Sequence, residues 1–354
     1  MLTISKELMN PNYDDLGEPQ SLQPIISENI EDWYRERQRL KNLWEEFLGK
    51  PSCQRPDGKG EVIDDFELPY CNITVFRQPT GPKTRQLVVL MEPKGKVYSP
   101  RPGAVVPYYH PDLMAGYDFS ERKFITERPE AHFGRHLVQL GYVVVCVEAF
   151  PFNTVAEPEK YKGFGVWQAG AEKVLADNPD WTGMGKLIWD TQLATDILIN
   201  QPDINKERIA IIGHSLGGKM AFYTGILDER IKAIIASDFG IGYDFTNWDD
   251  LWYLGKKIYD SSLQLAHHQL LALHAPRSFL LVAGEFDKRE SWQYINEARK
   301  VYKLYGKEEA IGMLHHGKGH KAPADAMLTT YKWLAEQFSL CKEGISEDII
   351  NVVY

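Results

Sequence analysis

Along most of the chain, short solid apolar runs alternate with stretches in which apolar residues recur every three or four positions. That is the pattern of buried strands alternating with helices. Residues 28–47 carry Ile30, Trp33, Leu40, Leu43, Trp44 and Phe47 mostly on one stripe, which predicts an amphipathic helix packed on the main body. Strand-like segments follow at 72–77 and 86–91, joined through the turn-forming cluster Pro79-Thr80-Gly81-Pro82, and a third lies at 103–109. Beyond them the pattern predicts a helix at 131–140, a strand at 142–148, a helix at 186–200, and strands at 231–237, 277–283 and 310–314. Further helices are expected at 262–273 and 324–338. Such alternation requires a mostly parallel central sheet flanked by helices.

The centre of this pattern is Gly213-His214-Ser215-Leu216-Gly217-Gly218. Ile209-Ala210-Ile211-Ile212 before it reads as a buried strand, and Lys219-Met220-Ala221-Phe222-Tyr223 after it opens a helix. A serine on a G-x-S-x-G turn between strand and helix is held in a strained backbone with its hydroxyl clear of the sheet. A serine hydroxyl is a weak nucleophile at neutral pH, so it needs a histidine base within reach and a carboxylate to orient that base.

On this elbow, and on acid and base residues following it in the order Ser, Asp, His, the chain resembles the α/β-hydrolases, nearest in pattern to their dienelactone-hydrolase and acetyl-xylan-esterase-like branch. The resemblance spans about residues 65–340 and implies Ser215 as nucleophile. It implies Asp287, in the strand-exit sequence Gly284-Glu285-Phe286-Asp287, as the acid, with Asp238 at the end of the preceding strand as the alternative. It implies His320, in His315-His316-Gly317-Lys318-Gly319-His320, as the base. The backbone N–H groups of Leu216 and Tyr109 are expected to form the oxyanion hole. Some glucuronoyl esterases of this fold place a substrate-contacting lysine where Lys219 stands, but they follow the serine with an arginine. Leu216 stands there instead, and Lys219 is read as a surface residue of the helix.

Two long connections, 149–185 and 238–261, leave the carboxyl ends of strands, where open α/β sheets place their ligands. Both are rich in aromatics. Trp167, Trp248 and Trp252, with His214 beside the nucleophile, are expected to line the substrate pocket; the alternative is that these rings anchor the loops as core. The domain organisation expected is an N-terminal arm and helix over 1–64, the extended arm covering about the first 27 residues, then a catalytic domain over 65–340 and a tail over 341–354.

Composition narrows the function. A chain of 354 residues with net charge -9 lacks the basic face that phosphate backbones require, so nucleic acid is not an expected partner. The first twenty residues hold no apolar core of signal-peptide length, and no apolar run approaches a membrane span, so no membrane partner and a cytoplasmic location are expected. Cys53, Cys71, Cys146 and Cys341 lack metal-ligand spacing and read as reduced; no metal or other cofactor is implied. The function expected is a serine hydrolase cleaving a small carboxylic ester, the resemblance implying an acetylated sugar or another small acyl group. The rivals are a serine peptidase like the prolyl-oligopeptidase catalytic domain and a non-catalytic ligand-binding protein on the same fold. The aromatic N-terminal helix is compatible with a homodimer.

Overall fold

The solid apolar runs become the middle of a nine-stranded sheet in the computed structural model, which describes residues 3–9, 16–18, 21–81, 83–95, 98–260 and 262–351. Its strands are β1 (Glu61–Glu67), β2 (Cys71–Pro79), β3 (Arg85–Pro93), β4 (Arg101–Pro107), β5 (Val143–Val147), β6 (Ile204–His214), β7 (Ala233–Ser237), β8 (Ser278–Ala283) and β9 (Ile311–His315). They lie in the order β1-β2-β3-β5-β4-β6-β7-β8-β9. β1, β2, β3 and β5 pair antiparallel, and every pair from β5 to β9 across the sheet is parallel.

Because β4 is followed by β5 on one side and β6 on the other, the chain changes winding direction between β4 and β6. A crevice opens at the carboxyl ends of strands at such a switch. Burial on both faces explains why the central strands read as unbroken apolar runs. In β5, for example, Val143, Val145 and Val147 enter one core while Val144 and Cys146 enter the other.

β1 was not expected from the sequence: Glu61, Asp64, Asp65 and Glu67 hide its period, and the charges suit a solvent-facing edge strand. A second unexpected element is the helix Ser291–Leu304, whose buried Trp292, Ile295, Ala298 and Val301 recur every third residue. The connection over 149–185 is shorter in irregular chain than its length suggested, since it contains the helices Phe150–Thr154 and Gly165–Ala176. Of the helix expected at 262–273, only His267–Ala272 is helical.

The N-terminal segment is not simply an extended arm. Ile4–Met9 is helical and tied to the last long helix, Ala324–Gln337, by Ser5 Oγ donating to Glu336 Oε1 at 2.9 Å. Residues 1–2, 10–15 and 19–20 of that arm, Ser261 at the end of the second connection and 352–354 of the tail lie outside the described residues. In the described part of the tail, the short helix Asp348–Asn351 buries Ile349 and Ile350. Among the described residues no helix is long and apolar enough to cross a membrane.

The helix Ile30–Leu48 begins at Asn29, whose side chain accepts from Asp32 N at 2.9 Å, and lays Trp33 and Trp44 wholly into the core. Trp44 stacks on His267 and meets Tyr223 edge-on, at centroid separations of 6.1 and 5.8 Å. Truncating a buried aromatic of this kind costs about 3–5 kcal/mol. Trp44→Ala is therefore expected to lower the unfolding free energy by that amount in a urea titration; an unchanged midpoint would mean that this helix does not share the core.

Candidate active site

β6 ends at His214 and the helix Leu216–Leu227 begins two residues later, so the chain must reverse within Ser215. Its backbone is at φ 56 and ψ -117, a region that costs a non-glycine residue about 1–3 kcal/mol. The turn closes so tightly that a Cβ on Gly213 would lie 2.0 Å from Gly217 O, and one on Gly217 would lie 2.2 Å from Pro107 O. Those two glycines are what permit the strain. Ser215 N donates to Ser237 O at 2.8 Å, tying the elbow to the end of β7.

Asp238 follows β7 directly and also has positive φ, 42. Its Oδ2 accepts from His320 Nδ1 at 2.7 Å. Its Oδ1 accepts the backbone N–H of Gly284, Phe286 and Asp287, at 3.0, 3.0 and 2.9 Å. Burial alone would push this carboxyl up. The bond from His320 and the loop amides outweigh burial and hold it below the usual carboxylate value.

Asp287, the acid favoured by sequence pattern, turns the other way. Its carboxylate accepts Phe239 N, Gly240 N and Ile241 N at 2.9, 2.8 and 2.7 Å, together with Ser291 Oγ at 3.0 Å. The expectation is corrected here: the carboxylate bonded to His320 is Asp238, and Asp287 is fully enclosed by the loop that follows β7. The two aspartates thus lock each other's loops, each binding the backbone amides beside the other. The sequence did carry a sign of this. Phe239-Gly240-Ile241-Gly242 is a glycine-rich exit whose clustered N–H groups require an acceptor.

The His320 imidazole is held between two rings, His214 at 4.5 Å and Phe286 at 4.9 Å, centroid to centroid. His320 therefore lies over the residue preceding Ser215. His214 is not a pocket residue. It is buried, its Nδ1 is 3.2 Å from Ser237 Oγ, and burial, followed by the neighbouring His320, pushes its pKa down to about 3. A neutral ring at that position packs against the His320 imidazole without carrying a charge beside it.

On the opposite bank of the crevice, Tyr108 N donates to Val147 O and Ala149 N donates to Tyr109 O, fixing the turn after β4. Burial pushes the Tyr109 phenol up to about 12, against a smaller pull from the nearby Ser215 hydroxyl, so it remains protonated. Its ring lies edge-on to Tyr108 and Trp167, each at 4.8 Å. Among the described residues, neither Tyr109 N nor Leu216 N donates a hydrogen bond. Leu216 N also stands at the positive end of a helix.

The three tryptophans expected in the pocket belong to the core. Trp248 is wholly buried, with its indole N–H donated to Gly240 O at 2.6 Å; Trp167 backs Tyr109; Trp252 lies beneath the exposed Phe164, at 5.9 Å. They anchor the two long connections, because rings this large stabilise most when removed from water. Lys219 is corrected likewise. It is 2% exposed, donates to Asn247 Oδ1 at 3.0 Å, and lies 4.2 and 4.0 Å from the Trp248 and Tyr253 ring centres. Burial pushes its pKa down to about 7 against the pull of Asp250, Asp287 and Asp249. It pins the 238–261 connection onto the elbow helix.

The strand order, the strained serine at the switch point and the crossover helices are those of the α/β-hydrolase fold, and this chain has that fold. No family model matches it. In sequence it is similar to "Putative hydrolase YtaP" of Bacillus subtilis (strain 168), 27% identical over 216 residues, which is 57% of this chain and 68% of that protein. It also matches carbohydrate esterase MZ0003, from an unknown prokaryotic organism, at 22% identity over 33% of this chain and 31% of that protein. Among solved structures, methylesterase BT1017 superposes with a TM-score of 0.65 at 17% identity, covering 92% of this chain and 68% of its own. The glucuronoyl esterase from Solibacter usitatus superposes with a TM-score of 0.65 at 16% identity, covering 96% and 100%.

Asp287→Asn puts an amide NH2 among backbone N–H donors and leaves at least one of them unpaired, at a cost of about 1–3 kcal/mol near pH 5. Burial, followed by the charge of Asp238, pushes the Asp287 carboxyl up to about 6 although the bonds from Ile241, Gly240 and Ser291 pull it down. The folded protein thus holds this proton more tightly than the unfolded chain does. Its contribution to stability is complete below the unfolded value of 3.8 and is lost as pH rises through about 6. Urea titrations across that range should show the gap between wild type and Asp287→Asn narrowing with pH; a gap that widens would mean that the site favours the anion.

Proposed function

We propose that the protein is a serine hydrolase that cleaves a carboxylic ester borne by a carbohydrate, through an acyl-enzyme on Ser215. The observation that carries this reading is the 2.7 Å bond between Asp238 and His320 Nδ1, on an imidazole packed against His214 of the elbow that strains Ser215. A carboxylate on Nδ1 fixes the tautomer whose Nε2 is free to accept a proton.

In this reading His320 Nε2 takes the proton as Ser215 Oγ attacks the ester carbon. Asp238, which stays ionised, stabilises the imidazolium that forms. The carbonyl oxygen becomes an oxyanion facing the N–H groups of Tyr109 and Leu216, donors fixed by the turn after β4 and by the helix terminus. As the C–O bond breaks, His320 returns its proton to the departing alcohol. Water then repeats the sequence on the acyl-enzyme, releasing the acid and restoring Ser215.

The Tyr109 hydroxyl, kept protonated by burial, lies close to Ser215 on the bank of the crevice opposite His320. Support for an ester of a carbohydrate comes from the similar proteins, which carry the names carbohydrate esterase, methylesterase and glucuronoyl esterase. A small acyl group, such as acetate on a sugar hydroxyl, is the substrate we favour.

A fluorophosphonate probe should label the wild type and leave Ser215→Ala unlabelled; an unlabelled wild type would sink the hydrolase reading. With p-nitrophenyl acetate, Asp238→Asn should lose about 10^4-fold in kcat, because an amide facing Nδ1 favours the wrong tautomer. A loss below ten-fold would remove Asp238 from the mechanism.

A further inference from the structure

A base that returns its proton to a departing alcohol must reach that alcohol's oxygen, so the carbon skeleton on the oxygen lies beside the His320 imidazole. Whatever borders the imidazole therefore meets the alcohol. Two rings pack on it. His214 is buried, whereas Phe286 is half-buried, with its ring centre 4.9 Å from that of His320 and its plane at 76° to the imidazole. The His320 side chain is itself 30% exposed, while Asp238 behind it is at 0%. Of the two rings, Phe286 is the one that a ligand reaching the base from solvent can touch.

Phe286 is also held in place. Its backbone N–H donates to Asp238 Oδ1 at 3.0 Å, on the carboxylate whose other oxygen binds His320. The loop after β8 touches the loop that bears His320, since a Cβ on Gly284 would lie 2.2 Å from Gly319 O. Around the ring the rim is polar: Glu285, Lys288 and Arg289 on the same loop and Lys318 on the neighbouring one are exposed. A lone aromatic surface among charged side chains suits a ligand with an apolar face and an edge of hydroxyls. A pyranose ring has that form. Its carbon-bound hydrogens can lie on the phenyl ring while its hydroxyls stay among polar groups and water.

We propose that Phe286 is a specificity-determining residue on which the sugar ring of the leaving alcohol stacks, so that the carbohydrate sits on the alcohol side of the scissile ester and the acid released is the small part. This rests on the carbohydrate-ester reading above and adds to it the side of the ester that carries the sugar and the residue that reads it.

Steady-state kinetics on acetylated xylotriose, ethyl acetate and benzyl acetate compare three alcohols on one acyl group. The unaltered protein is expected to show a KM for the sugar ester on the order of ten-fold below that for ethyl acetate, and Phe286→Leu to remove most of that difference. Were Phe286 only to steady His320, the variant would lose kcat on both esters alike and keep the KM difference, which would overturn the proposal. Equal KM values in the unaltered protein would overturn it as well, so the decision does not depend on how the variant folds. Dependence on Phe286 for benzyl acetate without any for the sugar ester would assign the ring to an aryl alcohol and defeat the sugar. Methyl glucuronate carries its sugar on the acyl side and releases methanol; it is expected to be the poorer substrate, and the reverse order would contradict the proposed orientation. A protein that hydrolyses none of these esters overturns the esterase reading and this assignment with it, whereas the other adverse outcomes remove the assignment alone.

Discussion

The carboxylate of Asp238 is the constraint on which the site depends. One oxygen holds the His320 imidazole, and the other gathers three backbone N–H groups from the loop after β8. Neither task would be met by a flexible side chain. Asp287 returns the arrangement by gathering three N–H groups from the loop after β7, the loop that presents Asp238. Two buried anions near each other repel, and each is tolerated because it satisfies backbone donors that would otherwise be buried without partners. The outcome is a pair of strand exits that cannot move independently.

The remainder of the fold serves that geometry. Parallel pairing brings the exits of β6, β7, β8 and β9 to one edge, and the change of winding between β4 and β6 leaves room there for a ligand. Lys219, enclosed by Trp248 and Tyr253, presses the 238–261 connection onto the elbow helix, and Trp248 in turn holds Gly240, an amide that Asp287 also binds. Burying a lysine and a tryptophan N–H is costly unless both are paired, and here both are.

Much of this was legible in the sequence, unevenly. The central strands were plain because burial on both faces writes them as solid apolar runs, and the serine elbow because its glycines have no substitute. The edge strand β1 was hidden by its own charges, and the helix Ser291–Leu304 by its length of polar surface. The choice between Asp238 and Asp287 was not decidable from motif spacing. Both follow buried strands, both adjoin loops rich in N–H donors, and only packing shows which one faces the imidazole. Aromatic residues in long connections looked like a pocket; their burial shows that they hold those connections in place. What lies in solvent instead is Phe152, Tyr161 and Phe164.

The most direct test of the account is proton NMR of His320. An Nδ1–H held against a buried carboxylate resonates far downfield of the amide protons. The account predicts such a resonance in the wild type, its loss in Asp238→Asn and its persistence in Asp287→Asn. Persistence in Asp238→Asn together with loss in Asp287→Asn would contradict it, because the imidazole would then be held by the other aspartate.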